Sequence, residues 1–219
     1  MRGRGQVKEG CLLSDQMGVH LAELLCARLC HDLAGAVGAV GAGAELLIEE
    51  GMQSPMAEEA LGLLSASASA MAARLRFLRA ALGPIGSDTK DARNLAHAYF
   101  AKGHPQGEWR LDWPEGATPP SSVEAAKLLL NLICLAQDCL PRGGTIAVRP
   151  GAAEPVSGEG PAVIEGESLR SLASGDAPPA GPRAAQGAYA ACLAAQAGGR
   201  IAVRQEAGIV RFSVTPRGP

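Results

Sequence analysis

Apolar residues recur at three- and four-residue spacing from Leu21 to Leu47, through Leu25, Leu29, Leu33, Ala36, Val40 and Ala44. That spacing is one stripe of an amphipathic helix. The helix is expected from near Met17 to Glu50, roughly 50 Å at about 1.5 Å per residue. Gly51 follows as a C-cap glycine. Ser54-Pro55 then reads as the start of a second helix, serine as N-cap and proline at the first helical position. Glu58 and Glu59 lie near its positive end. Leu61, Leu64, Ala68, Met71, Leu75, Leu78 and Leu82 alternate by three and four, a heptad seam that Gly83-Pro84 stops. Two long helices joined by a short loop make an antiparallel hairpin. One hairpin cannot cover both stripes; two hairpins from two chains complete a four-helix bundle, so a homodimer is expected.

After Gly86 the pattern changes. Asp88 to Ala101 predicts a short helix, and Trp109, Leu111 and Trp113 alternate with Arg110 and Asp112 as in a half-buried strand. Ser121 and Glu124 form a capping box for a helix reaching Leu140. Arg142-Gly143-Gly144 turns into a strand over Thr145–Val148. Pro150 to Pro161 reads as a loop, Ala162-Val163-Ile164 as a short strand, and Leu169 to Arg183 has no clear period. A helix over Ala184–Ala197 and a hairpin pairing 200–203 with 209–214 close the chain. The fold class is therefore α+β. Its parts are a flexible tail over 1–16, a helical-hairpin dimerisation domain over 17–83 and a second domain over 88–219.

Composition narrows the function. Twenty Lys+Arg stand against 22 Asp+Glu and aromatics are 3%, so no basic or aromatic surface argues for nucleic acid. The N-terminus is basic and polar rather than a signal core, and Arg28, His31 and Asp32 interrupt the most apolar run. No membrane association and a cytoplasmic location are expected. Six cysteines occur without a CxxC pair, so neither a metal site nor a redox motif is indicated.

Cys30-His31-Asp32 carries the candidate chemistry. His31 lies two residues past Leu29, about 200° from the leucine stripe at 3.6 residues per turn. An imidazole on the solvated face beside Asp32 is a candidate nucleophile. Arg28 and Gly35 share its face at i−3 and i+4. Gly35, Gly38, Gly41 and Gly43 follow, although an interior glycine costs about 1 kcal/mol against alanine. Such a run offers a low-profile surface that another protein's backbone can approach. The hairpin brings Arg74 level with His31. His20, His97 and His104 are read as structural or surface residues.

The segments Leu25–Leu33 and Ala72–Gly83, the latter with Arg74-Leu75-Arg76-Phe77-Leu78-Arg79, resemble the ChpT-type histidine phosphotransferases of alphaproteobacteria. They resemble the phosphoacceptor hairpin of sensor histidine kinases more distantly. The kinase pattern has a proline about five residues after its histidine; Ala36 stands there, which removes the source of a kink. Residues 127–133 and Gly143-Gly144-Thr145-Ile146 resemble the region around the kinase asparagine box. Leu135 replaces the Mg²⁺-holding asparagine, Glu165-Gly166-Glu167 is the nearest remnant of the adenine loop, and Pro182–Gln186 replaces the Gly-rich phosphate loop. Asn131 is read as a helix residue with a structural hydrogen bond.

The resemblance implies a degenerate histidine-kinase ATPase-like α/β sandwich with no ATP and no cofactor or metal of its own. It implies a phosphoryl group shuttled between receiver-domain aspartates of response regulators through a phosphohistidine at His31, with Mg²⁺ brought by the receiver. Asp32 would orient the ring; Arg28, Gly35, Gly38 and Arg74 would meet the phosphoryl group or the receiver. An active kinase core using ATP and a non-catalytic receiver-binding scaffold are the alternatives.

Overall fold

The computed structural model describes residues 5–216 apart from 52, 85, 87–90, 104–107 and 174–177. Helix α1 (Gly5–Glu50) and helix α2 (Ala57–Leu82) form the expected antiparallel hairpin. α1 is continuous through Ala36. It begins at Gly5 rather than near Met17, so the part of the expected tail that is described, 5–16, is helical. Gly51 caps it at φ 76°, its amide donating to the Leu47 carbonyl at 3.1 Å. The second helix starts later than expected. Ser54-Pro55 is a turn, with the Met56 amide donating to Ser54 Oγ at 3.2 Å, and Met56 is the N-cap without a side-chain bond. Proline's fixed φ serves that turn as well as it would serve a first helical position.

The second domain follows as α3 (Ala92–Gly103), β1 (Trp109–Asp112), α4 (Val123–Asp138), β2 (Gly144–Val148), β3 (Val156–Glu159), α5 (Glu167–Ala173), α6 (Pro182–Gln196), β4 (Gly199–Glu206) and β5 (Ile209–Pro216). The sheet order is β1-β2-β3-β5-β4. β1 and β2 are parallel and the other pairs antiparallel. Ser122, not Ser121, caps α4, accepting from the Ala125 amide at 3.1 Å. β3 lies inside the stretch expected to be a loop, and 162–164 is not a strand. Val156-Ser157-Gly158-Glu159 has too little apolar character to announce a strand; pairing on both edges, with β2 and β5, makes it one. The Asp88 start expected for α3 lies outside the described residues.

α4 is buried on all sides from Ala126 to Ala136, sandwiched among the sheet, α6 and α2. Its neighbour turn needs glycine: at Gly143 φ is 77° and a Cβ would meet the Glu108 carbonyl oxygen at 1.9 Å. The structure thereby seats β2 beside β1, with the Gly144 amide donating to Glu108 O at 2.7 Å.

Within the hairpin the single chain buries mostly small residues of α2, Ala57, Ala60, Ala70, Ala73, Ala80 and Ala81, with Phe77 and Leu78. The leucine seam is only partly used: Leu78 is buried, while Leu61 and Leu75 are exposed, as is Leu63 beside it. Along α1, Val37 and Ile48 are also exposed. Residues Gln16–Glu49 are long and apolar enough, by length and composition, to cross a membrane, and 6% of the most apolar window is buried. Mid-helix, however, Arg28 and Asp32 are engaged by polar groups of the second domain and of α2.

Candidate functional site

His31 stands on α1 with its side chain 79% exposed, as the helical period requires. Its Nδ1 lies 3.3 Å from Asp32 Oδ1. With the ring proton on Nδ1, the imidazole donates to that carboxylate and keeps the lone pair on Nε2. Asp32 is itself held twice. Arg74 Nη1, from α2, donates to its backbone carbonyl at 3.0 Å, and Arg28 Nε faces Oδ2 at 3.5 Å. The hairpin thus brings Arg74 level with the histidine, as its loop length implies.

Arg28 departs from the expected solvated face. It is half-buried, and both Nη atoms donate to Asp138 of α4 at 2.9 Å, a bidentate ion pair. Burial works against the guanidinium charge, but the Asp138 carboxylate outweighs it and raises the pKa above the ordinary arginine value. Ser168 Oγ, from α5, lies 2.6 Å from Asp138 Oδ2 and 2.8 Å from the Arg183 carbonyl, and its one proton can go to either. Asp138 and Ser168 escaped the sequence reading because 110 residues separate Arg28 from Asp138 and no local spacing marks the pair.

Gly35 and Gly38 are exposed, and a Cβ on either would meet nothing within 4 Å. They are open surface next to His31 rather than packing contacts. Gly43, farther along, is buried against Leu64, where a Cβ would lie 3.4 Å from the leucine Cβ.

These groups border a cleft of about 810 Å³ between the hairpin and the second domain. His31, Arg28, Asp32 and Arg74 form one wall. Glu165-Gly166-Glu167 and Pro182-Arg183 lie on the other, with Ile164 and Trp109 adding apolar surface. Tyr99, stacked on Phe77 at 4.2 Å, also reaches the cleft and donates to Gln137 Oε1 at 2.9 Å. Burial pushes its phenol well above the ordinary tyrosine value, so it remains a donor.

Asn131 is turned away from this cleft's chemistry. It is fully buried, and its Nδ2 donates to the carbonyls of Ala81 at 2.8 Å and Lys127 at 2.9 Å. Gln186 Nε2 donates to its Oδ1 at 2.5 Å. Lys127 Nζ donates to Gly83 O at 2.6 Å and Tyr189 to Leu82 O at 3.2 Å. Three consecutive carbonyls at the C-terminal end of α2 are thereby capped by side chains of the second domain. His97 Nε2 donates to the Trp113 carbonyl at 2.9 Å, a structural role as expected; His20 lies 3.4 Å from the Pro179 carbonyl; His104 is outside the described residues.

An exposed histidine on a helical hairpin, with an α+β domain closed against it, points to a class, and comparison with known proteins supplies it. The chain belongs to the histidine phosphotransferase family: the family model described as histidine phosphotransferase C-terminal domain matches residues 89–209. It is 36% identical over 206 residues to the protein phosphotransferase ChpT of Brucella abortus (strain 2308), covering 88% of this chain and 94% of that one. It is also similar to a bacterial phosphotransferase solved at 1.7 Å, with TM-score 0.72 and 32% identity over 90% of this chain and 96% of the other. The chain is a phosphorelay histidine phosphotransferase.

Proposed function

We propose that His31 is the phosphoacceptor and that the phosphoryl group moves between receiver-domain aspartates through it. The observation that carries this reading is an exposed imidazole whose Nδ1 faces Asp32 at the mouth of a two-domain cleft. In the forward step the Nε2 lone pair attacks the phosphorus of an aspartyl phosphate in line. The N–P bond forms, the P–O bond breaks, and the receiver's carboxylate leaves with the electron pair. The positive charge that develops on the ring is offset by Asp32. The reverse step delivers the group to a second receiver. Because the receiver supplies Mg²⁺ and its own acidic cluster, this chain contributes chiefly position. Gly35 and Gly38 give the receiver a surface free of side chains beside the nucleophile. Arg28 and Arg74, which sequence spacing offers to the receiver, have partners within the chain and act by holding Asp32.

Two chains join through the exposed leucines of α2 and the apolar face of α1 into a four-helix bundle, which covers the most apolar stretch of α1 with protein and suits a cytoplasmic molecule. Neither ATP nor a metal of its own is used; in support, the Asn131 amide is consumed by backbone and by Gln186.

The test is incubation with phosphorylated receiver domains and labelled phosphate. Label should move to the wild-type protein as an acid-labile, base-stable phosphoramidate and from there to a second receiver. His31→Ala and His31→Gln should take none, with stability changed by no more than about 0.5 kcal/mol because the side chain is exposed. Label on His31→Ala, or base-labile label on the wild type, overturns the assignment.

A further inference from the structure

The polar groups around His31 form a line that begins in the other domain. Ser168 of α5 meets Asp138 of α4 at 2.6 Å; Asp138 takes both Nη atoms of Arg28 at 2.9 Å; Arg28 Nε faces Asp32 at 3.5 Å; Asp32 faces His31 Nδ1 at 3.3 Å. The line is least exposed at Arg28, 11%, with Asp138 at 18%, and opens through Asp32 at 33% to His31 at 79%. One guanidinium therefore serves two carboxylates unequally. Asp138 receives the short bidentate contact, the stronger of the two geometries. Asp32 is left with a contact beyond ordinary hydrogen-bond length but within Coulombic reach.

We propose that Asp138 is a positioning residue for phosphotransfer: by occupying the Arg28 fork it leaves Asp32 available to hold His31 Nδ1 and so to present Nε2 to the receiver. Without the Asp138 carboxylate the fork has one anion left, and it turns onto Asp32 and competes with the imidazole for the same oxygens. Ser168 assists by fixing Asp138 Oδ2. The second domain thus acts on the nucleophile's orientation through two intervening side chains. A purely mechanical tie between domains would affect stability and leave the ring alone. The inference rests on His31 being the phosphoacceptor, and the test separates the two ideas.

Full-length protein is prepared with ¹⁵N-labelled imidazoles, and His31 is identified among the four histidines by its loss in His31→Gln. At a pH where the ring is neutral, the two nitrogen shifts report the tautomer. The Asp138→Asn variant should raise the share of the Nε2–H form. It should also slow the transfer rate constant about tenfold, a fraction of the roughly 10⁴-fold loss seen when a triad aspartate is replaced outright. Receiver KM should stay within about twofold, since a positioning loss acts on the step and not on docking. Asp138→Glu should restore both readouts, and Ser168→Ala should move both in the same direction by less. A folded Asp138→Asn protein with the wild-type tautomer and rate overturns the proposal. Should that variant fail to fold, wild-type tautomer and rate in Ser168→Ala overturn it equally. The tautomer measurement needs no phosphotransfer. A wild type that takes no label at His31, while Asp138→Asn still shifts the ring, defeats the function proposed above and leaves the positional coupling standing.

Discussion

Asn131 carries more of the domain junction than its size suggests. Its amide bonds Ala81 O, Lys127 O and Gln186 with no solvent in reach. Replacing it with alanine leaves the Ala81 carbonyl and the Gln186 amide without these partners. An unmet buried polar group costs about 1–3 kcal/mol, so Asn131→Ala should destabilise the protein by roughly 2–4 kcal/mol, read from the urea midpoint at constant slope. Lys127→Ala should cost less, because its amine sits nearer the surface of the junction and over the Tyr189 ring, 5.3 Å away. At this scale the sequence is legible where a residue's face is set by its own helix. His31 on the exposed side follows from the period, whereas the structural bond of Asn131 follows from the resemblance of residues 127–133 to a kinase segment whose phosphate loop has no counterpart here. Arg28 follows from neither, because its partner comes from another element and the period alone sees only the solvated face.

The two faces of α2 divide between folding and assembly. Its alanine face, with Phe77 and Leu78, is filled by its own chain, and small side chains let α1 approach closely. Leu61 and Leu75 remain exposed at 43% and 46%. Their seam is what a second copy would cover. Leu75→Glu should therefore convert a dimer to a monomer by light scattering, with the far-ultraviolet spectrum little changed and the melting temperature lowered, since the chain loses the stabilisation its partner supplies. A pair of hairpins that stayed dimeric with this glutamate would place the assembly elsewhere. The heptad reading took every position of the stripe as equivalent; Leu78 and Leu82 instead join the interdomain core. Periodicity records that a face is apolar and is silent on whose surface meets it.

The second domain, a mixed five-stranded sheet with helices packed on it, grips the hairpin with its own side chains. Side chains from α4 and α6 cap the end of α2, and Glu165-Gly166-Glu167 and Pro182-Arg183 line the cleft that faces His31. Titration with Mg²⁺-ATP at millimolar concentration should accordingly give no saturable heat and no rise in melting temperature; a dissociation constant of about 0.1 mM would raise stability by about 1.4 kcal/mol at 1 mM and would show. The sequence by itself determined the hairpin, the exposed histidine and the α+β class, because each is written in spacing or residue type over a few turns. It did not determine β3 or the Ser168–Asp138–Arg28–Asp32 line. Those depend on strand edges and charges brought together from distant parts of the chain, and only the packed tertiary structure decides which oxygen a guanidinium will find.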